Sequence, residues 1–159
     1  PWTLWAGKNI TTITLPWQDL IHQVLMINSS EKAISSSEAH QRVKTSPAFK
    51  QRASRAQQRL QELLAALQQK DWSQAFQICW HEFEDMHQLF TTAQPAFDYR
   101  NQKVHNALKS IQEFWQEQGD GPLVTMDAGP NIHLLWRPDQ ASMAQTVKSA
   151  QLFGDADVL

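Results

Sequence analysis

Glycine is scarce in this chain: five residues in 159, namely Gly7, Gly119, Gly121, Gly129 and Gly154. They cannot be arranged into a G-x-G-x-x-G turn or a Walker-type loop, so a backbone cradle for nucleotide phosphates would have to come from elsewhere. Cysteine is scarcer still. The single Cys79 excludes an internal disulfide framework and a multi-cysteine zinc site, and it favours a reducing, cytoplasmic setting. No apolar run approaches the ~18 residues that a membrane helix needs, so no membrane partner is expected. The opening Pro1-Trp2-Thr3-Leu4-Trp5 lacks both the basic region and the apolar stretch of a signal peptide. It also lacks a starting Met and is expected to be a cut end. Excess positive charge is absent too: 14 Lys and Arg stand against 16 Asp and Glu, a net charge of -2. That balance argues against a general nucleic-acid binder.

What is present is a composition able to build a core, 42% hydrophobic and 19% charged. Seven Trp and seven Phe against one Tyr is an unusual balance, and most of those rings are expected inside. Over the first thirty residues the chain reads as strands. Ile10 to Leu15 alternates apolar residues with Thr, and Leu20 to Ile27 is a dense apolar run closed by Asn28-Ser29-Ser30. A polar stretch follows, in which Ser35-Ser36-Ser37-Glu38 reads as a helix start and Ser46-Pro47 as a stop.

Three apolar stripes at steps of three and four then predict helices. They run from Phe49 to Leu67, from Trp72 to Phe90 behind Asp71 as a cap, and from Val104 to Trp115 up to Gly119-Asp120-Gly121-Pro122. Leu123 to Met126 and Ile132 to Trp136 read as an antiparallel pair turning at Ala128-Gly129-Pro130-Asn131. Pro138-Asp139 opens a last helix to about Leu152, beyond which the end is expected to fray. The order implies an α+β fold, a small antiparallel sheet covered on one face by amphipathic helices.

Three features could carry chemistry. His81 and His87 look like metal ligands, but six residues turn a helix by about 600° and put them on different faces. A polar face with His81 paired to Asp85 is the plainer reading, and no metal site is assigned. Between His40 and Arg59 lie six basic residues and no acidic one. Residues 1–80 carry nine basic and five acidic groups, residues 81–159 five and eleven. That polarity is either a solvated helix face or a field that draws an anionic, phosphorylated ligand towards the serines. Asp127 ends an apolar strand just before small residues, where it either caps its own turn or serves a ligand.

The motif Thr125-Met126-Asp127-Ala128-Gly129-Pro130-Asn131 resembles the signature of diphosphomevalonate decarboxylases, members of the GHMP kinase superfamily. Ile34-Ser35-Ser36-Ser37-Glu38-Ala39-His40, with Lys44-Thr45-Ser46-Pro47, resembles that family's Ser-Ser and Thr-Ser segments. Met86-His87 and Pro95-Ala96-Phe97-Asp98-Tyr99 resemble a third block. All three fall in the family's order across most of residues 20–140. Ala39 and His40 stand where the family commonly has Gly-Met, and Ser37 where Arg or Thr is often seen.

The resemblance covers only the C-terminal half of such an enzyme. It implies that residues 1–30 continue strands of a preceding domain and that residues 31–159 form the GHMP-type substrate-binding domain. ATP phosphorylating the tertiary hydroxyl of 5-diphosphomevalonate, followed by loss of phosphate and CO₂, is the implied reaction. Asp127 would be the catalytic carboxylate, with Ser36, Ser35, Ser37 and Gly129 at the substrate. ATP and Mg²⁺ would be held mainly by the other half, so this chain alone is expected to be inactive. A phosphorylated small molecule is the implied partner, in a homodimer. Two alternatives stay open at this point: a related kinase that does not decarboxylate, and a non-catalytic interaction domain of the same fold.

Overall fold

The computed structural model describes residues 2–27, 34–154 and 157–159. The turn expected at Asn28-Ser29-Ser30 lies outside them. Two strands, β1 (Trp2–Ala6) and β2 (Asn9–Ile13), form a separate antiparallel hairpin in which Trp5 faces Ile10. The predicted strand over Ile10 to Leu15 thus stops at Ile13, and Leu15 leaves the ladder to bury itself in the core. A second, four-stranded sheet carries the domain. It contains β3 (Ile21–Met26), β4 (Leu123–Met126), β5 (Ile132–Trp136) and β6 (Asp157–Val158), in the order β4-β5-β3-β6, with every pairing antiparallel. The C-terminal residues expected to fray instead add β6 to the edge of β3, and Leu159 exchanges backbone hydrogen bonds with Val24.

Three of the helices begin at a side-chain cap. In α1 (Ser36–Arg42), Ser35 caps the start by accepting a hydrogen bond from the Glu38 amide at 3.2 Å. The long α2 (Phe49–Gln68) starts just beyond Pro47. For α3 (Trp72–Thr92) the cap is Asp71, and for α4 (Gln102–Gln118) it is Asn101. Gly119 closes α4 with φ +65°, a conformation open to glycine at little steric cost. Pro138 opens a 3₁₀ turn that leads into α5 (Ala141–Ala150).

Burial along β5 alternates, and Ile132, Leu134 and Trp136 are fully enclosed. This is the period-two pattern of a sheet with one face on its core. Into that core α3 sends Phe76 and Phe83, and α4 sends Val104, Ile111 and Trp115. Trp136 also solves the polar problem of its own indole: its Nε1 donates to Gln23 at 2.8 Å, and Gln23 donates to the Ala144 carbonyl at 3.0 Å, joining α5 to the sheet. Most large rings are inside as expected, but Trp5 on the hairpin is 75% exposed. Among the described residues, no helix is long and apolar enough to cross a membrane.

Candidate active site

A second, smaller apolar cluster assembles the site. It joins Ala39 and Val43 at α1 to Leu89 and Phe90 at the end of α3, with Ile34, Phe97, Tyr99 and Ala128 packed against them. Ile34, Ala39, Phe97, Tyr99 and Ala128 of this cluster come from the three segments that carry the family resemblance. Apolar packing therefore brings the Ser-rich helix start and the turn after β4 onto one cavity, about 770 Å³ in volume. Ser36 and Asp127 both line it. Around them stand His40, Lys50 and Arg52, on a largely apolar wall that includes Phe49, Met86 and Leu89. An apolar cavity with a few convergent polar groups is the usual form of a small-molecule site.

The remaining expected site residues fall differently. The Ser35 hydroxyl is engaged in capping α1, and Ser37 is exposed on the first turn. Neither lines the cavity, and Gly129 is buried in the turn behind Asp127. Asp127 itself is exposed at the cavity mouth rather than enclosed. The Thr-Ser segment proves to be a clamp. Thr45 accepts from the Gln94 amide at 2.7 Å, and the Ser46 and Thr92 hydroxyls meet at 2.7 Å. Together they tie the end of α1 to the end of α3, next to the cis Gln94–Pro95 bond.

Most of the basic stretch does not project an open field. Arg52, Arg55 and Arg59 lie on one side of α2 and meet Glu82 and Asp85 of α3. Arg55 and Arg59 each reach Asp85 at 2.7 Å, Arg59 reaches Glu82 at 3.1 Å, and Arg52 bonds Glu82. Burial would raise the Asp85 pKa, but hydrogen bonds from Arg55 and Arg59 outweigh it and hold the carboxyl below its ordinary value. Asp85 therefore takes arginines from the neighbouring helix, not the His81 expected one turn away. Arg42 is matched by Glu38 within α1. Lys50 has no ion pair among the described residues, which leaves it as an uncommitted cation on the cavity wall, beside His40. The network had a sequence signal, since Arg52, Arg55 and Arg59 recur at steps of three and four, and Glu82 and Asp85 at three.

The burial of His87 was also out of reach of the sequence reading. The residue is fully buried under the site, edge-on to Phe83 and Phe90, with the Asp127 backbone among the polar groups that act on its ring. Burial, then the nearby Arg100, push its pKa down to about 4, so it is neutral at physiological pH. Cys79 is chemically quiet as well: burial, then Glu82, push its thiol up to about 12. No group of three or more His, Cys, Asp or Glu able to hold a metal ion occurs among the described residues. With one carboxylate on the cavity and no phosphate loop, these residues do not by themselves form a cage for Mg²⁺ or a nucleotide.

Comparison with known proteins places this arrangement. A family model described as the mevalonate 5-diphosphate decarboxylase C-terminal domain matches residues 22–156, and the chain belongs to that family. The structure is similar to a mevalonate diphosphate decarboxylase from Legionella pneumophila, with 52% identity and a TM-score of 0.94, covering 100% of this chain and 50% of that one. It is also similar to a mevalonate pyrophosphate decarboxylase from Streptococcus pyogenes, with 25% identity and a TM-score of 0.79, over 94% of this chain and 46% of that one. A protein termed MDDEF, solved in complex with MVAPP, AMPPCP and magnesium, shares the fold at 23% identity and a TM-score of 0.76, over 88% of this chain and 42% of that one. The chain thus spans about half the length of these relatives. A search of the curated proteins finds no match.

Proposed function

We propose that this chain is the substrate-binding half of an ATP-dependent decarboxylase that converts 5-diphosphomevalonate to isopentenyl diphosphate. The observation that carries this reading is the meeting of Ser36 and Asp127 on one cavity, from segments 91 positions apart in sequence. A relative solved with MVAPP, AMPPCP and magnesium supports the choice of a phosphorylated substrate and a nucleotide. In this reading Mg²⁺ shields the nucleotide phosphates when bound, held mainly by the part of the protein outside this chain.

The chemistry asks for a carboxylate. A tertiary alcohol is a weak nucleophile, and Asp127 orients the substrate's 3-hydroxyl and accepts its proton as oxygen takes the γ-phosphoryl group of ATP and ADP leaves. The C3–O bond then breaks and phosphate departs with its electron pair. The electrons of the bond to the substrate carboxyl group become the new carbon–carbon double bond, and CO₂ leaves. Positive character that builds at C3 is stabilised by a nearby fixed negative charge. Ser36 donates to the substrate diphosphate, and Lys50 supplies a positive charge on the same wall. The apolar side chains of Phe49, Met86 and Leu89 suit the hydrocarbon portion of a six-carbon acid.

The test uses the full-length protein with ATP, Mg²⁺ and 5-diphosphomevalonate. CO₂ release with equimolar isopentenyl diphosphate is the expected result. A stable phosphorylated acid with no CO₂ would instead identify a non-decarboxylating kinase, and no nucleotide binding would identify an interaction domain. A homodimer, also part of this reading, is tested by sedimentation of the same protein.

A further inference from the structure

Tyr99 is the only tyrosine of the chain, and its place is unusual for a residue given no role in the reaction above. It lies in the loop between α3 and α4. Its ring is packed edge-on to Phe90 (5.4 Å between centroids, 87°) and to Phe97 (5.5 Å, 85°). For that packing a phenylalanine would serve equally well. The hydroxyl does something separate, donating at 2.9 Å to the carbonyl of Ile34, two residues before Ser36. The ring also belongs to the small apolar cluster that contains Ala39 of α1 and Ala128, the residue after Asp127. Burial, then the charges of Asp127 and Glu38, hold the phenol above its ordinary pKa, so it keeps the proton it donates.

One side chain therefore touches the backbone that leads into Ser36 and packs in the cluster that seats the Asp127 turn. The whole of α1 is short, seven residues, with its only buried member at Ala39. A helix of two turns has little intrinsic stability, so its position depends on tertiary contacts. We propose that Tyr99 is a positioning residue that sets the distance and angle between Ser36 and Asp127, and so between the phosphate-binding end of the cavity and its carboxylate. This inference rests on the substrate reading given above. It predicts that the Tyr99 hydroxyl acts through Ser36, and that its loss is felt by the ligand as well as by the fold.

Tyr99→Phe keeps the ring and removes its hydroxyl. In the full-length protein, KM for 5-diphosphomevalonate should rise about tenfold, with kcat falling less, as expected when a ligand-binding group is misplaced. A double-mutant cycle with Ser36→Ala supplies the readout that a merely structural role would not move. If the hydroxyl works by placing Ser36, then Tyr99→Phe should change KM by less than about twofold once Ser36 is alanine. Equal fold-changes in both backgrounds overturn the inference, and so does a lowered melting temperature with unchanged KM. Binding of inorganic pyrophosphate, measured by calorimetry on the same four proteins, should show the same non-additive loss. Should the wild-type protein release no CO₂, the functional reading fails, and the pyrophosphate cycle still decides the role of Tyr99. Additive or unchanged pyrophosphate affinities then reject it.

Discussion

The enclosure of His87 ties its protonation to folding, and a pH series should expose this. The imidazole is fully buried between Phe83 (6.4 Å) and Phe90 (5.1 Å), with Asp98 3.9 Å from Nδ1 as its only ion-pair candidate among the described residues. Burial dominates and lowers the pKa from 6.5 to about 4. Arg100 adds to the effect, and Asp98 and the Asp127 backbone only partly oppose it. In the unfolded chain the ring titrates near 6.5, so between pH 6.5 and 4 the unfolded state binds more protons than the folded one. Stability then rises with pH across that window and is flat above it. At about 1.4 kcal/mol per pKa unit, a fall from 6.5 to about 4 amounts to about 3 kcal/mol, lost progressively on acidification and fully lost below pH 4.

The assay is urea unfolding of the wild type and of His87→Gln at half-unit steps from pH 4 to 7.5. His133, also lowered by burial and by His22, titrates in both proteins and cancels in the difference. Asp85 is held low by its arginines, so its contribution is lost only as pH falls below the ordinary carboxylate range, outside the window. The stability advantage of the wild type should shrink by about 3 kcal/mol between pH 7 and pH 4. A difference that stays constant across this range refutes the reasoning, because a neutral buried ring would then not be what the fold encloses.

Three other perturbations probe the site directly. Asp127→Asn keeps the volume and removes the proton acceptor, so kcat should fall by ~10² to 10⁴ with KM within a few-fold and an unchanged melting temperature. Near-normal kcat, or a loss confined to stability, would leave Asp127 as a turn residue. Ser36→Ala should raise KM for the phosphorylated substrate by about tenfold, the scale of one charge-assisted hydrogen bond, and steady-state kinetics that do not move would return the segment to an ordinary helix start. Asp85→Asn removes the negative charge and one of the two acceptor oxygens shared by Arg55 and Arg59, whose side chains stay 29% and 21% exposed. Unfolding free energy should drop by roughly 2 kcal/mol, less than for a fully enclosed pair, and a drop under about 0.5 kcal/mol would show the network to be incidental.

Much of the architecture was legible from local signals. Ser35 and Asp71 each satisfy a free amide three residues on, and Gly119 ends a helix by entering the left-handed region, whereas the Asn101 cap of α4 emerged only with the structure. Such signals act within a turn or two, and so they survive without knowledge of the partner. The strand end at Ile13 and the addition of β6 were not legible, because edge pairing is decided by whatever backbone lies beside it. Asp127 could be singled out from a turn motif, since the motif and the strand end coincide. What it faces could not.

The sequence by itself determined where the chain turns, which stripes are apolar, and which three segments carry the family's pattern. Tertiary structure alone decided how each polar group is used. Among three adjacent serines, the fold gives Ser35 to a cap, leaves Ser37 exposed on the first turn, and turns Ser36 to the cavity. Of six clustered cations, it matches three to acids that lie 23 to 30 positions away and leaves Lys50 on the cavity wall. His87, one of two histidines in a polar-looking run, becomes the buried one because its helix face meets Phe83 and Phe90. The physical reason is range. Hydrogen bonds of caps and turns close over a few residues, whereas burial and ion pairing depend on surfaces that meet only after the helices have packed.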